Sequence, residues 1–425
     1  MGFDAWFAIA VFVVTYGFIV SEKIHRTIIA LVGAGIVILT GLLTQEQALG
    51  HIDWNTLALL TGMMLLVGVL RGSGLFEFLG VWVAKVSRGR PKLLLFLLAA
   101  MTAVLSAFLD NVTTVLLLVP VTLAMTDRLR LPAFPYLIAE IISSNLGGTA
   151  TLIGDPPNIM IGSAVGLDFM DFVTNIGDAV FVILLLTIGL LLLLFGRELH
   201  TDVEATQALA DLSPKDEVKD RALLLKGVIV LGLTIVGFVL HGQLHLESAT
   251  IAFAGAALML LLGGAQRMGE AFHHVEWPTL FFFIGLFVLV GGLVETGVIV
   301  RLASWALGVT GGSVPLLTVV VLWLSGFASA FVDNIPFTAT MIPLLQQIGT
   351  QLGEETMMPV WWALSLGACF GGNGTLVGAS ANLIVASLAE RQGITITFGR
   401  YFRYGFPVTL VTLLLSTGYL LLFEL

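Results

Sequence analysis

Apolar runs about one membrane thick alternate with short polar clusters along nearly the whole chain. The first run covers 5–20 and closes at Ser21–Arg26. Others follow at 27–43 and 54–70, then an amphipathic stretch, Leu75–Val86, predicts a helix lying along an interface. The run 92–126 is interrupted by Asp110-Asn111, and 135–164 by a cluster of Gly, Pro and Asn. Phe172–Phe195 reads as one uninterrupted span. Residues 196–222 form the only long charged stretch. Beyond it come runs at 223–240, 249–262 and 279–294, two more interrupted runs at 314–348 and 360–388, and a last run at 406–423.

The second set repeats the first. Asp53-Trp54-Asn55-Thr56-Leu57 matches Glu276-Trp277-Pro278-Thr279-Leu280, and Gly62, Gly68 and Gly74 match Gly285, Gly291 and Gly297. Ser106-Ala107-Phe108-Leu109-Asp110-Asn111 matches Ser329-Ala330-Phe331-Val332-Asp333-Asn334. All share an offset of 223 residues, and Gly147-Gly148 and Thr151-Leu152 match Gly371-Gly372 and Thr375-Leu376 at 224. The chain therefore divides into repeat 1 (1–195), a linker (196–222) and repeat 2 (223–425).

Basic residues decide whether the interrupted runs cross. If 92–126 and 314–348 are re-entrant hairpins, each repeat crosses five times and the two are inverted. Every Lys and Arg except Arg301 then falls on the linker side, as the positive-inside rule requires of a cytoplasmic face. If the hairpins crossed instead, Arg88, Arg90 and Lys92 would lie outside. The expected fold is an all-α polytopic membrane protein of two inverted repeats. Each repeat has five transmembrane helices, a re-entrant hairpin and a broken helix. Both termini are expected outside and the linker in the cytoplasm.

Composition narrows the function. Only 11% of residues are charged and 57% are hydrophobic, against roughly 25% charged in soluble domains. The start of the chain is acidic and does not resemble a cleavable signal. One cysteine, Cys369, excludes a disulfide framework and a multi-thiolate metal site. No basic patch with interleaved aromatics suggests nucleic acid. No nucleophile–base pair or metal-ligand spacing suggests an enzyme, and no cofactor is expected.

Irregular backbone at membrane depth is tolerated where it lines a cavity, and paired broken elements in inverted repeats build midplane sites. The hairpin tips offer Asp110, Asn111, Thr113 and Thr114, and Asp333, Asn334 and Thr338. Each tip puts a carboxylate and an amide at the N-terminus of a half-helix, where they cap it and where a ligand can bind. The first broken helix offers Asn145, Gly147, Gly148, Thr149, Thr151, Gly154, Asp155 and Asn158, with Pro156-Pro157 ending regular hydrogen bonding. The second offers Asn373, Thr375, Ser380 and Asn382. Glycines at such breaks permit close approach, of a ligand or of a packed helix. Glu140, one turn before the first break, is either a proton carrier or a buried structural acid. Cys369 is expected to pack, and the seven histidines to lie in solvated loops or span ends. No Lys or Arg is expected at the depth of Asp110, Asp155 and Asp333, so protons, cations or half-helix dipoles must offset them. Coupling to H⁺ or Na⁺ follows, with Na⁺ placed at the hairpin tips.

At these residues the sequence resembles the ion transporter superfamily, and within it the arsenical efflux permease branch with its ArsB/NhaD-type and P-protein-like members. The run Gly147-Gly148-Thr149-Ala150-Thr151-Leu152-Ile153-Gly154-Asp155-Pro156-Pro157-Asn158 carries the resemblance most specifically. The chain is more distantly similar to dicarboxylate/sodium symporters, which place Ser-Asn-Thr at each tip where this chain has Asp110-Asn111 and Asp333-Asn334. The resemblance implies an elevator-type transporter in the inner membrane, a homodimer, and a soluble ATPase as a further partner. It implies proton-coupled efflux of arsenite or antimonite, with a Na⁺/H⁺ antiporter and a Na⁺-coupled carboxylate or inorganic anion transporter as alternatives. Arsenite, mostly neutral at pH 7, would be held by hydrogen bonds, because one thiol cannot build a three-thiolate arsenic site.

Overall fold

A computed structural model describes residues 2–21, 23–200 and 213–425. The central part of the predicted linker lies outside the described residues. The described residues contain helices and no strand.

Repeat 1 comprises α1 (Phe3–Ser21), α2 (Arg26–Leu39), α3 (Gln45–Gly50), α4 (Trp54–Arg71), α5 (Leu75–Ser87), α6 (Pro91–Phe108), α7 (Asn111–Arg128), α8 (Ala133–Thr149), α9 (Pro156–Val165), α10 (Phe169–Asn175) and α11 (Gly177–Phe195). Repeat 2 comprises α12 (Arg221–Leu244), α13 (Ser248–Gly263), α14 (Ala265–His273), α15 (Trp277–Glu295), α16 (Val298–Thr310), α17 (Val314–Phe331), α18 (Asn334–Leu352), α19 (Met358–Gly371), α20 (Ser380–Glu390) and α21 (Phe398–Tyr419). Among the described residues eight helices are long and apolar enough to cross a membrane, which makes this a multi-pass membrane protein. Two of the eight, α6 and α17, are first arms of the hairpins.

The repeats are inverted in space. Arg71, at the end of α4, meets His274, just before α15, at 3.4 Å. The other end of α15 returns to α4, where a Cβ on Gly291 would lie 2.6 Å from the His51 ring. The equivalent helices α4 and α15 therefore run antiparallel. Paired glycines make their crossings. Gly62 brings α4 onto the Ala252 backbone of α13, and Gly285 brings α15 onto the Ala30 backbone of α2; a Cβ would sit 2.8 and 2.7 Å from those carbonyl carbons. Pro120 in α7 and Pro343 in α18 are also equivalent and interrupt the second arm of each hairpin.

Helices pack as two groups. In one, α4 packs on α13, which packs on α12, and α15 packs on α2 and α1. In the other, α6, α7 and α11 surround α8, and α17, α18 and α21 surround α19. The linker marks one side of the molecule: Lys219 donates its backbone N–H to Ser73 and its Nζ to Glu77 at 2.7 Å, and Arg267 pairs with Asp220 at 2.6 Å. Asp220 caps α12. The Leu223 N–H, with Arg267 beside it, holds the Asp220 carboxyl below its usual range.

Three expectations need correction. Phe172–Phe195 is not one span, because the chain bends at Ile176 between α10 and α11. Asp168 and Asp171 form a capping box that makes α10 a separate short helix. The last helix starts at Phe398, where Thr397 caps it, rather than near 406. His241 is not solvated: it is buried, accepts the Phe169 N–H at 3.2 Å and contacts the Leu246 carbonyl at 2.9 Å. It ties the end of α12 to α10.

Candidate functional site

Both hairpin tips are made the same way. Helix α6 ends where Leu109 turns extended (φ −119°, ψ 164°), and Asp110, also extended, starts α7 as its N-cap. The Asp110 carboxylate accepts the Thr113 N–H at 2.8 Å and the Thr113 hydroxyl. At the other tip Val332 is extended, Asp333 follows at φ −39°, ψ 137°, and its carboxylate accepts the Ile335 N–H at 3.1 Å. The breaks end the same way: Asp155 and Ala379 are extended immediately before α9 and α20. Four half-helix N-termini, each partly positive, thus converge. Three start at an aspartate, and the fourth starts at Ala379–Ser380.

Matched hydrogen bonds fasten tips to breaks. Thr151 donates to the Ala107 carbonyl and Thr375 to that of Ala330. Ser106 and Ser329 donate to the Ser144 and Ala368 carbonyls at 2.7 and 2.6 Å. Asn158 donates to the Thr149 and Thr151 carbonyls at 3.0 and 2.9 Å, and Asn382 to those of Gly372 and Thr375 at 2.7 and 3.0 Å. These bonds use most of the predicted threonines for structure. Thr149 and Thr338 bond carbonyls one turn back in their own helices, while Thr114 is buried without a partner. The predicted glycines are packing positions as well. A Cβ on Gly147 would lie 2.2 Å from the Ala103 carbonyl oxygen, and Gly148 and Gly154 face each other at similar range.

An amide network crosses the interface of the repeats. Asn145 donates to Asn373 at 2.9 Å and to Asn382 at 3.1 Å, and accepts from Asn111 at 3.1 Å. Cys369 occupies the place in repeat 2 that Asn145 holds in repeat 1. Its thiol lies 3.7 Å from the Asn158 oxygen, which also accepts from Ser365 at 2.6 Å. Asn334 donates to both Asp155 oxygens, at 3.2 and 3.4 Å. The tip asparagines of both hairpins thus donate to the first broken helix. The matched position of Asp155 is Ala379, so charge at the breaks is one-sided.

Between the tips lies a cavity of about 20 Å³, room for about one water. Asp110, Asn111, Asp155, Asn334 and Ser380 line it, together with Arg26, Glu276, Thr279, Leu60 and Met64. Two larger cavities, about 260 and 380 Å³, adjoin it on the linker side, and Glu276 lines all three. The cavity of about 320 Å³ around His51 and Asp53 on the far side shares no residue with it.

Arg26 overturns the expectation that no basic residue lies at this depth. Its Nη1 is 2.6 Å from the Asp333 carboxylate and 2.7 Å from the Ser380 hydroxyl, and Ser380 donates to the same Asp333 oxygen at 2.7 Å. The guanidinium also lies over Phe282 at 5.0 Å. The sequence places Arg26 in a loop after the first span, but α2 begins at that residue. Because the arms of this hairpin are 18 and 19 residues long, about 27 Å at helical rise, the tip of a hairpin entering from the far side reaches the linker-side end of α2. The sequence signal for Glu276 was its match to Asp53 in the repeat; nothing local marked Arg26. No ion pair reaches Asp110 or Asp155 among the described residues. Nor, among the described residues, do three acidic, His or Cys side chains converge there.

Residues 16–367 match the family described as citrate transporter, CitMHS. The chain belongs to that family. A transporter named as uncharacterised in Mycobacterium bovis is 42% identical over 421 residues, covering 97% of each chain. The P protein of Mus musculus is 35% identical over 503 residues, covering 98% of this chain and 60% of the P protein. Among solved structures, the Alcanivorax borkumensis YdaH transporter, described as having an unusual topology, superposes with a TM-score of 0.59. It covers 91% of this chain and 88% of its own at 17% identity, a likeness of fold. Family and fold together make the chain a membrane transporter of the ion transporter superfamily, as the Gly147–Asn158 run implied.

Proposed function

We propose that the chain is a proton-coupled secondary transporter of the inner membrane, exporting a small polar solute of the arsenite or antimonite class. The linker side is the cytoplasm in this reading, and the α8/α19 group moves as an elevator against the α4/α15 group. The carrying observation is the charge balance of the central cavity. Three carboxyls, from Asp110, Asp155 and Glu276, face a single guanidinium, and that guanidinium is already paired with Asp333. Unpaired carboxylates at membrane depth are costly, at least about 2.5–3.5 kcal/mol each on the insertion scale, so exchange of protons there is coupled to movement. The amides of Asn111, Asn145, Asn334 and Asn382 supply hydrogen bonds suited to a neutral trihydroxide.

A second reading is favoured by one feature and by the family description. The only half-helix N-terminus without its own aspartate, that of α20, is where Ser380 and Arg26 hold the Asp333 carboxylate. Asp333 there stands in the position a substrate carboxylate would take, which suits a cation-coupled carboxylate transporter. The purified protein in liposomes under an imposed pH gradient distinguishes these. Proton movement triggered by arsenite or antimonite supports the first reading, and movement triggered only by a dicarboxylate supports the second. Movement triggered only by Na⁺ or Li⁺ sinks both in favour of a cation antiporter.

A further inference from the structure

Glu140 lies outside the central cavity, in the middle of α8, and is fully buried. It is seven residues from the start of α8, about 10 Å along the helix. Thr122 of α7 donates to its Oε1 at 2.5 Å, while Oε2 has no partner. A carboxyl left half-partnered at this depth is expensive to keep, and an amide, a methionine or a leucine would fill the space without that cost. The neighbouring groups are as unusual. On α7, Thr122 and Thr126 lie about one turn apart, and Thr114 lies about two turns nearer the Asp110 cap. On α8, Ser143 lies one turn beyond Glu140 toward the break. The Thr114 and Ser143 hydroxyls are both buried without partners. Thr126 lines a cavity of about 570 Å³ on the linker side, with Asp127 and Arg391.

We propose that Glu140 is a second proton-binding site, joined by a seam of hydroxyls between α7 and α8 to the Asp110 tip on one side and to the linker-side cavity on the other. This inference rests on the proton-coupled reading and locates a carrier for it outside the solute cavity. Glu140 takes one proton from water in the linker-side cavity through the Thr122 hydroxyl, past Thr126, whose own hydroxyl is held by the Thr122 and Leu123 carbonyls, and returns one proton when the hairpin-bearing group has moved. The half-partnered Oε2 and the orphan hydroxyls of Ser143 and Thr114 provide the donor and acceptor capacity for the relay. Among the described residues no ion pair reaches Glu140. On the helices packed against α8, Lys92 opens α6 and Asp127 and Arg128 close α7. Asp178 lies at the start of α11, and the α19 thiol, Cys369, faces Asn158. Glu390 closes α20, followed by Arg391, and Arg400 and Arg403 lie in the first turns of α21, Arg400 over the Phe134 ring. On α8 itself the Tyr136 hydroxyl is engaged with the Pro91 carbonyl.

The test is infrared difference spectroscopy of the protein in lipid as pH is stepped, alongside pH-gradient-driven movement with arsenite and antimonite as probes. Wild type should show a protonated-carboxyl band that titrates. In Glu140→Gln one titrating component of that band and the gradient-driven movement should both be lost. Thr122→Val should shift the pH at which the band titrates, and Thr122→Ser should restore it; this pair keeps the test alive if Glu140→Gln fails to fold. A band and a pH profile unchanged in Glu140→Gln, or an unchanged titration in Thr122→Val, would overturn the inference while leaving coupling at the central site standing. A wild type that moves no protons with either probe overturns the proton-coupled reading and this inference with it.

Discussion

Arg26 belongs to the α2/α15 group and Asp333 to the opposing hairpin, so their pair exists only while those groups are in this arrangement. Replacing Arg26 with Gln should therefore shift a conformational equilibrium. The size follows from the burial of the pair. A fully exposed pair contributes about 0.2–1 kcal/mol, and breaking a fully buried one costs about 3–5 kcal/mol. Here the side chains are 24% and 10% exposed, and a third group, Ser380, shares the Asp333 oxygen. An intermediate value of about 2 kcal/mol is appropriate, and at about 1.4 kcal/mol per tenfold it is a population shift of about 30-fold. Spin labels at Leu39 of α2 and Leu324 of α17, both at exposed positions, report the separation of the two groups; the native Cys369 is fully buried and is left in place. Arg26→Gln and Asp333→Asn should each move the distance distribution away from the arrangement seen here. The double variant should add little, which gives a coupling energy of about 2 kcal/mol. Distributions that change less than about twofold, or a double variant that simply sums the singles, would refute the latch.

Other sites give sharper local outcomes. Asp110→Asn and Asp155→Asn should insert normally and lose coupled transport, since each isostere keeps the side-chain shape and one acceptor oxygen; normal transport with unchanged pH dependence would make those carboxyls structural. Asn145→Ala leaves Asn111, Asn373 and Asn382 short of a partner, at about 1–3 kcal/mol for each buried orphan, and should lower the melting temperature in detergent well beyond Asn175→Ala, which removes a partly buried amide bonded to the Asp171 carbonyl. Gly147→Ala drives a Cβ to 2.2 Å from the Ala103 carbonyl oxygen, an overpacking of about 1–3 kcal/mol. The thermal melt should fall, whereas Gly35→Ala, with nothing within 4 Å, should leave it unchanged.

The inverted halves, hairpins and breaks could be read from sequence because they rest on periodicity and on paired motifs at a constant offset. Asp110-Asn111 and Asp333-Asn334 were visible as tips because polar residues interrupt apolar runs there. The assignment of individual side chains was less legible. Thr151 and Thr375 look like ligands in one dimension, yet they tie hairpins to breaks. Gly147 looks like a place for ligand approach, yet backbone from α6 fills it. Arg26 could not be seen at all, because its partner is 307 residues away and only the reach of a hairpin arm brings them together.

The most direct test of the central claim is proton movement across liposomes containing the purified protein, followed by an internal pH dye after arsenite or antimonite is added under an imposed pH gradient. Proton flux that requires the solute, and disappears in Asp110→Asn and Asp155→Asn, is the predicted result. Solute movement that ignores the pH gradient, or proton flux equal in wild type and in both aspartate variants, would contradict it.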